Sequence, residues 1–252
     1  MELRVALCQV HAEKDPGKNL RRLEDIVRRT DADLFVFPEL YLSSYGGSLP
    51  KGFLDTAIPE MQGLCSERGC AVCVGAPVED DGLRNSQFFI TADDVHRYDK
   101  LHLARFGIYA ENQYTAGTSL TMFQWKGMTF GMEVCYDIMF PEIHRAYALA
   151  GADVVISSAA SAGPSRQFME RIGPARSLEN TVYTVFLNNI GPCGDDKFWG
   201  GSCIYGPLGD MKAVADDGEC VLVSVISTEE IARAREIRHH LEDLRRDIDW
   251  KV

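Results

Sequence analysis

The chain has 252 residues, of which 46% are hydrophobic and 25% are charged, proportions that are typical of a globular protein with one sizeable core. A formal net charge of −11 without a long basic cluster argues against nucleic acid and anionic membrane surfaces as partners. The opening residues MELRVALCQV contain no basic leader, and no apolar run approaches the roughly 18 residues of a membrane-spanning helix. We therefore expect a cytoplasmic protein that binds neither nucleic acid nor membranes.

The first third of the chain alternates between strand and helix patterns. Asp15-Pro16 offers an N-cap and a proline at the first helical position, and apolar residues then recur at helical spacing. Short apolar runs such as DLFVF are typical of strands that are buried on both faces. The predicted elements are a strand at 2–10, a helix at 16–30, a strand at 33–37, a loop at 41–53, a helix around 58–64 and a strand at 71–77.

The rest of the chain adds hairpins and a second strand–helix–strand series. Turn residues separate SQFFIT from VHRYDKLHL, and LTMFQW from MTFGMEV, which predicts two antiparallel strand pairs. A charged helix follows near the end, and we expect it to extend from Thr228 to Arg246. The other predicted elements are an aromatic loop at 104–118, helices at 141–150 and 164–180, and strands at 153–159, 182–189, 202–214 and 219–226.

Strand–helix–strand units joined by hairpins predict a layered α/β protein with mixed sheets, not a purely parallel doubly wound sheet. The chain contains no Pro/Ser-rich linker, no low-complexity tract and no short-period repeat. We therefore predict that residues 1–252 form a single domain.

Three of the eight cysteines, Cys65, Cys70 and Cys73, lie close together in the sequence and raise the question of a zinc or redox site. No second Cys/His pair stands at a suitable spacing, and CAVCVGAP has the pattern of a buried strand. We interpret these cysteines as core residues with free thiols. The sequence thus predicts no metal and no cofactor.

Three chemically distinct side chains stand where predicted strands end. Glu39 follows DLFVF, Lys100 follows HRYD, and Cys135 follows MTFGMEV. Groups just beyond strand ends gather at one edge of a sheet in α/β proteins, where ligands bind. A carboxylate can accept a thiol proton, a thiolate can attack a carbonyl, and an ammonium can stabilise the oxyanion that forms. The combination predicts acyl transfer through a cysteine nucleophile, with a second oxyanion donor from the backbone N–H that follows the cysteine.

The segments FPEL at 37–40, YDKLHL at 98–103 and EVCYDIMFPE at 133–142 resemble the three signature segments of the nitrilase superfamily of carbon–nitrogen hydrolases. Similar segments extend over nearly the whole chain, among them AENQYTAG, GADVVISSAA, ARSLENTVYTVFLNN and GGSCIYGPLGD. The resemblance implies an α/β fold of four layers, an αββα sandwich in which two mixed sheets are flanked by helices. It also implies hydrolysis of the carbon–nitrogen bond of a small amide, with water as co-substrate and a thioester intermediate.

The resemblance assigns roles residue by residue. Glu39 would be the general base, Lys100 the oxyanion stabiliser and Cys135 the nucleophile, while Glu111 would position the lysine and the amide. Glu142 would anchor local loops. We expect the substrate to contact five residues that lie in or beside the predicted site: Tyr45, Tyr114, Tyr136, Ser158 and Phe198.

The resemblance also implies a homodimer or a higher homo-oligomer, with the helix that begins near Pro141 and the segment 228–252 as contact surfaces. One position departs from the family pattern. Met139 stands where many relatives have arginine, so a contact near the substrate or a neighbouring subunit is expected to differ.

Several alternatives remain open. N-carbamoyl compounds or nitriles are alternative substrates for the same three groups, and neutral amides and ω-amides of dicarboxylates are equally compatible with the sequence. A Cys–His hydrolase would use His102, which shares a strand face with Lys100 if that strand continues. A binding protein without catalysis is the third hypothesis. Further candidates for the pocket lining or for binding a substrate carboxylate are Phe106, Tyr109, Trp199, Arg105, Arg166 and Lys197.

Overall fold

In the computed structural model, which describes residues 1–106, 111–245 and 247–248, the chain forms fourteen strands and five α-helices. The strands are β1 (Glu2–Gln9), β2 (Leu34–Val36), β3 (Ala71–Glu79), β4 (Leu83–Ile90), β5 (Val95–Asp99), β6 (Met122–Trp125), β7 (Met128–Val134), β8 (Val154–Ala159), β9 (Tyr183–Asn188), β10 (Ile190–Cys193), β11 (Asp196–Trp199), β12 (Cys203–Tyr205), β13 (Met211–Val214) and β14 (Cys220–Ser227). The helices are α1 (Pro16–Arg29), α2 (Phe53–Arg68), α3 (Pro141–Leu149), α4 (Arg166–Asn180) and α5 (Thr228–Ile237).

Twelve of these strands form two six-stranded mixed sheets. The first sheet has the order β14-β1-β2-β3-β4-β5, and the second has the order β13-β12-β9-β8-β7-β6. Parallel pairs occupy the middle of each sheet, and antiparallel pairs complete both. The parallel pairs are β1–β2 and β2–β3 in the first sheet, and β7–β8 and β8–β9 in the second. The mixed architecture predicted from the strand–helix units and hairpins is confirmed.

The alternation of side chains along β1 shows how the layers are stacked. Leu3, Val5 and Leu7 belong to the core between the two sheets, whereas Ala6 and Cys8 face the other way, into the core shared with α1 and α2. Successive strand residues point to opposite faces, so one strand serves both cores. On the far side of the second sheet, α3 packs against β8, and α4 packs beside it. The result is the four-layer αββα sandwich implied by the resemblance.

The last helix is shorter than the sequence predicted. It ends at Ile237, Arg238 adopts an extended backbone conformation, and the residues after it form turns up to Asp243. Leu241, which the helical pattern placed on the apolar face, instead packs against the cluster beneath α3. Tertiary packing here outweighs a weak helical propensity. The rest of the predicted tail includes residues 246 and 249–252, which lie outside the described residues.

Two further differences concern the site. The predicted strand 95–103 ends at Asp99, so Lys100 lies in the segment that follows β5. The hairpin of β10 and β11 was not predicted, although its two-residue turn, Gly194-Asp195, is a typical hairpin signal. Within the described ranges, no helix is long and apolar enough to span a membrane.

Candidate active site

Glu39 lies in a tight turn just beyond β2, at the edge of the first sheet. The turn packs closely on β3, because the Leu42 N–H donates to the Gly75 carbonyl over 3.0 Å. A Cβ at Gly75 would lie 2.3 Å from the Leu40 nitrogen, so only glycine permits this approach. The packing leaves the Glu39 side chain fully buried, with its carboxylate aimed into the interior.

Lys100 follows β5 directly and is held on both sides by backbone hydrogen bonds. Its N–H donates to the Asn85 carbonyl over 2.9 Å, and its carbonyl accepts the Gly117 N–H over 2.8 Å. A Cβ at Gly117 would lie 2.2 Å from the Asp99 carbonyl oxygen, which again restricts the position to glycine. The long side chain is only 1% exposed.

The Lys100 ammonium bridges two buried carboxylates. Its Nζ lies 2.8 Å from Glu39 Oε1 and 2.8 Å from Glu111 Oε1. The remaining oxygens are also occupied, since Glu39 Oε2 accepts the Ala160 N–H and Glu111 Oε2 accepts the Ala104 N–H, both over 2.7 Å. Buried charges require such pairing, and here every carboxylate oxygen has a partner.

Cys135 lies at the end of β7, where the chain turns into a short 3₁₀ helix over Cys135–Met139. Its φ of +52° places it in the left-handed region, which is uncommon for a residue with a side chain. Strained conformations of this kind cluster at functional sites. The side chain is 4% exposed and lies close enough to Glu39, Lys100 and Glu111 for all three charges to affect its thiol.

The pKa values of the three predicted catalytic groups reflect burial and the net charge around them. Burial raises the pKa of Glu39, the Lys100 ammonium opposes this, and the nearby Glu111 carboxylate adds to it. Burial alone would lower the pKa of Lys100, but Glu39, the Cys135 thiol and Glu111 together hold it well above its ordinary value. The pKa of Cys135 is raised by burial and by Glu39, while Lys100 and the Ala160 N–H lower it.

These directions have a chemical consequence. Two ionised carboxylates and one ammonium leave a net charge of −1 in a buried space, which favours the uptake of one more proton. Since the neutral Cys135 thiol already carries its own proton, the added proton goes to Glu39, whose raised pKa suits it to exchange a proton with its neighbours. The ammonium stays charged in either state.

Comparison with known proteins agrees with this geometry. The family model described as carbon–nitrogen hydrolase matches residues 4–236. The chain belongs to the nitrilase superfamily of carbon–nitrogen hydrolases. An (R)-stereoselective amidase from Pseudomonas sp. is 29% identical over 96% of this chain and 92% of its own length. A nitrilase from Pyrococcus abyssi is 29% identical over 86% of each chain.

A solved structure shows an adduct on the active-site cysteine of a similar protein. A mutant of the amidase from Nesterenkonia sp. AN1, 27% identical, matches 96% of this chain and 100% of its own with a TM-score of 0.80. In that structure acrylamide has undergone Michael addition at the active-site cysteine. The present hydrolase therefore shares its fold and family with proteins that differ in their named substrates.

Four of the residues predicted to contact substrate surround the buried charges of the hydrolase. The Tyr45 hydroxyl donates to Glu111 Oε1 over 3.2 Å, and its ring meets that of Phe198 edge-on at 5.8 Å. Tyr136 packs against the small apolar cluster that contains Phe198. Burial raises the pKa of Tyr114 to about 12, with contributions from Glu39 and Glu111.

Ser158, the fifth predicted contact, has a different partner. Its hydroxyl is fully buried and donates to the Phe37 carbonyl over 3.1 Å. Phe37 lies two residues before Glu39, so this bond ties the second sheet to the turn that carries the carboxylate. The hydroxyl of Ser158 is therefore engaged by the backbone that precedes Glu39, and no contact of Ser158 with the buried charges follows from this bond.

The structure adds polar groups that the sequence analysis of this hydrolase did not identify. Asn85 Nδ2 donates to Glu39 Oε1 over 2.7 Å from β4, and the Ala160 N–H reaches Glu39 Oε2 from the end of β8. The sequence signal for Asn85 was weak, because it stands in the polar run Arg84–Gln87 of β4 and only the structure shows that it is the side chain that reaches Glu39. No side-chain pattern could reveal the backbone donor.

The histidine alternative is not supported by the position of the ring. His102 Nδ1 lies 2.9 Å from Asp137 Oδ1, and the ring stacks on Phe140 at 3.5 Å. His144, on α3, is fully buried with Nδ1 3.0 Å from Glu133 Oε2. Both imidazoles therefore face carboxylates other than Glu39.

The remaining sequence candidates lie elsewhere in the hydrolase. Cys65, Cys70 and Cys73 are buried free thiols in the cores, and the described part of the chain contains no group of three His, Cys, Asp or Glu residues that could hold a metal ion. Arg166 pairs with Glu170 and Asp217 at the surface. Four others are exposed at the surface: Arg105, Phe106, Glu142 and Lys197. Tyr109 lies outside the described residues.

Met139, the departure from the family pattern, contacts its neighbours beside the site through its backbone carbonyl. The Arg176 guanidinium donates to the Met139 carbonyl over 3.1 Å and to the Ile138 carbonyl over 2.9 Å. A buried arginine on α4 thereby holds the end of the 3₁₀ helix that begins with Cys135. The Met139 side chain itself packs at the border of the core between the sheets.

Proposed function

We propose that this protein hydrolyses the carbon–nitrogen bond of a small linear amide, releasing ammonia and a carboxylate through a thioester on Cys135. The observation that carries the proposal is the pair of 2.8 Å contacts that hold the Lys100 ammonium between Glu39 and Glu111, beside the Cys135 thiol. A fixed positive charge next to a buried thiol and a carboxylate of raised pKa is what acyl transfer requires.

The first half of the reaction forms the thioester. Glu39 accepts the Cys135 proton as the sulfur attacks the amide carbon, and the carbonyl oxygen becomes an oxyanion. Lys100 and the backbone N–H of Tyr136 stabilise that charge. Glu39 then delivers its proton to the amide nitrogen, the carbon–nitrogen bond breaks, and ammonia leaves.

The second half consumes water. Glu39, ionised again, takes a proton from water as the oxygen attacks the thioester carbon. The carbon–sulfur bond breaks, the thiol regains its proton from Glu39, and the carboxylic acid that leaves gives its remaining proton to solvent to become the carboxylate. Glu111 keeps Lys100 in place through both halves of the reaction. Its Oε1 accepts a hydrogen bond from the Lys100 ammonium, and its Oε2 accepts one from the Ala104 N–H.

Amides are preferred over nitriles in this proposal for a chemical reason. Both substrates would begin with attack by the thiolate, but a nitrile gives a thioimidate that must be hydrated before ammonia can leave. The amide route needs only proton delivery by Glu39 to a departing nitrogen. N-carbamoyl compounds follow the same route as amides and are the second candidate class.

The test is a panel of matched substrates scored by ammonia release: aliphatic amides, ω-amides of dicarboxylates, N-carbamoyl amines and the nitrile of each amide. We expect kcat/KM for at least one amide to exceed that of its nitrile by about tenfold or more, a difference of about 1.4 kcal/mol in transition-state stabilisation. A nitrile preferred over its amide by the same factor would overturn the proposal. The Cys135→Ala protein is the matched control for contaminating activity.

A further inference from the structure

Asp137, two residues after Cys135, gathers an unusual number of hydrogen bonds. Its carboxylate is fully buried and accepts from five donors that come from two separate parts of the chain. They are the N–H groups of Val134 (3.2 Å), Leu101 (3.3 Å) and His102 (2.8 Å), the Tyr98 hydroxyl (2.8 Å) and His102 Nδ1 (2.9 Å).

Two of these donors are the immediate neighbours of the reacting groups. The Val134 N–H belongs to the residue before Cys135, and the Leu101 N–H belongs to the residue after Lys100. Hydrogen bonds to an ionised acceptor are about twice as strong as those between neutral groups. One carboxylate therefore joins the turn that carries the thiol to the segment that carries the ammonium, across 36 positions of sequence.

The backbone at Cys135 needs such support. A φ of +52° at a residue with a side chain is strained and persists only when the surroundings enforce it. Arg176 holds the far end of the 3₁₀ helix through the carbonyls of Ile138 and Met139. Asp137 holds the near end, where the sulfur is placed.

We propose that Asp137 is a positioning residue that keeps the Cys135 sulfur and the Lys100 ammonium at a fixed separation. This inference rests on the proposed function, because it takes Cys135 as the nucleophile and Lys100 as the charge that stabilises the oxyanion. It assigns no contact between Asp137 and substrate. It makes the five-donor carboxylate a determinant of the reactivity of the thiol, in addition to its contribution to the stability of the fold.

The proposal predicts a specific chemical change when the carboxylate is removed. Lys100 lowers the pKa of the Cys135 thiol, so any increase in their separation raises that pKa further. In Asp137→Asn one carboxylate oxygen becomes an NH₂ group that faces N–H or O–H donors and cannot accept from them. The turn that carries Cys135 and the segment that carries Lys100 would then separate. Thiolate formation then moves to higher pH, and the attack geometry is lost.

The experiment measures the labelling rate of Cys135 by iodoacetamide as a function of pH, with the labelled peptide identified by mass. For Asp137→Asn we expect the labelling profile to shift upward by about one pH unit or more. With an amide substrate, kcat should fall about 100-fold while KM stays within about threefold, as for a misplacement of about 1 Å. Circular dichroism establishes that the variant is folded.

Asp153→Asn is the matched control. Asp153 Oδ2 accepts the Thr129 N–H over 3.0 Å at the opposite end of the same strand, so its replacement also removes a carboxylate from a backbone donor of β7. We expect its labelling profile and kcat to stay within about twofold of wild type. An equal shift in Asp153→Asn would mean that any loosening of β7 produces the effect, and the proposal would be overturned.

A folded Asp137→Asn protein with a wild-type labelling profile would also overturn the proposal. If Asp137→Asn does not fold, Tyr98→Phe removes a single donor from Asp137 Oδ2 with little change of shape. Its profile should shift in the same direction by a smaller amount, and an unchanged profile would reduce Asp137 to a folding role. Labelling needs no substrate, so failure of the proposed function would show separately, as absent turnover in wild type.

Discussion

The Lys100 ammonium lies 2.8 Å from Glu39 Oε1, and both side chains are excluded from solvent. An ion pair at this depth forfeits hydration on both partners and is weak evidence for stability. Its position beside a strained cysteine points to chemistry as the reason for its presence.

The nucleophile is tested by removing the sulfur. Cys135→Ala should reduce turnover by about 10³-fold or more while the protein stays folded, because the attacking atom is lost. Cys135→Ser should be nearly as inactive, since a carboxylate deprotonates a hydroxyl poorly. Cys220→Ala, a half-buried thiol on β14, should behave as wild type. Residual activity of a tenth in Cys135→Ala would exclude covalent catalysis by this residue.

Glu111 is tested by a change that keeps its shape. Glu111→Gln retains the carbonyl oxygen but withdraws one negative charge from Lys100 and puts NH₂ against one of the present donors. We expect KM within about threefold of wild type and a loss of kcat of about 100-fold or more, the pattern of an interaction needed in the transition state. The exposed Glu142→Gln serves as control, and kcat near wild type in Glu111→Gln would make Glu111 a structural carboxylate.

The pH dependence of kcat/KM follows from Glu39. The base must be ionised to accept the thiol proton, so activity is lost as the pH falls through its pKa. Burial raises that pKa, which places the acid limb above the value of about 4.3 that an ordinary glutamate would give. A rate profile measured with a neutral amide checks this, and an acid limb at or below pH 4 would contradict it.

The Cys–His alternative is separated from the proposed mechanism by a pair of variants. Since His102 bonds to Asp137, His102→Asn should cost about tenfold at most, as one of five donors to that carboxylate is altered. Glu39→Gln removes the proposed base and should cost about 10³-fold or more. Steady-state kinetics on one amide decide between the two, and the reverse order of effects would identify His102 as the base.

The sequence alone was sufficient to predict the α/β class, the β4–β5 and β6–β7 hairpins and the strand-end positions of Glu39, Lys100 and Cys135. The reason is that these features depend on local patterns: short apolar runs, turn residues and a change of residue type where a strand stops. The structure places Tyr45, in the loop after β2, against Glu111, and Phe198, on β11, against the Tyr45 ring.

Only the tertiary structure decided how the charges are paired. Asn85 and the Ala160 N–H hold Glu39 across 46 and 121 positions of sequence, and Asp137 reaches Leu101 across 36. The register of two sheets and their packing bring these groups together, and no local pattern encodes such distances. The same holds for the end of α5 at Ile237, where Leu241 leaves the helical path to pack beneath α3, because burial of one apolar side chain outweighs a small difference in helical propensity.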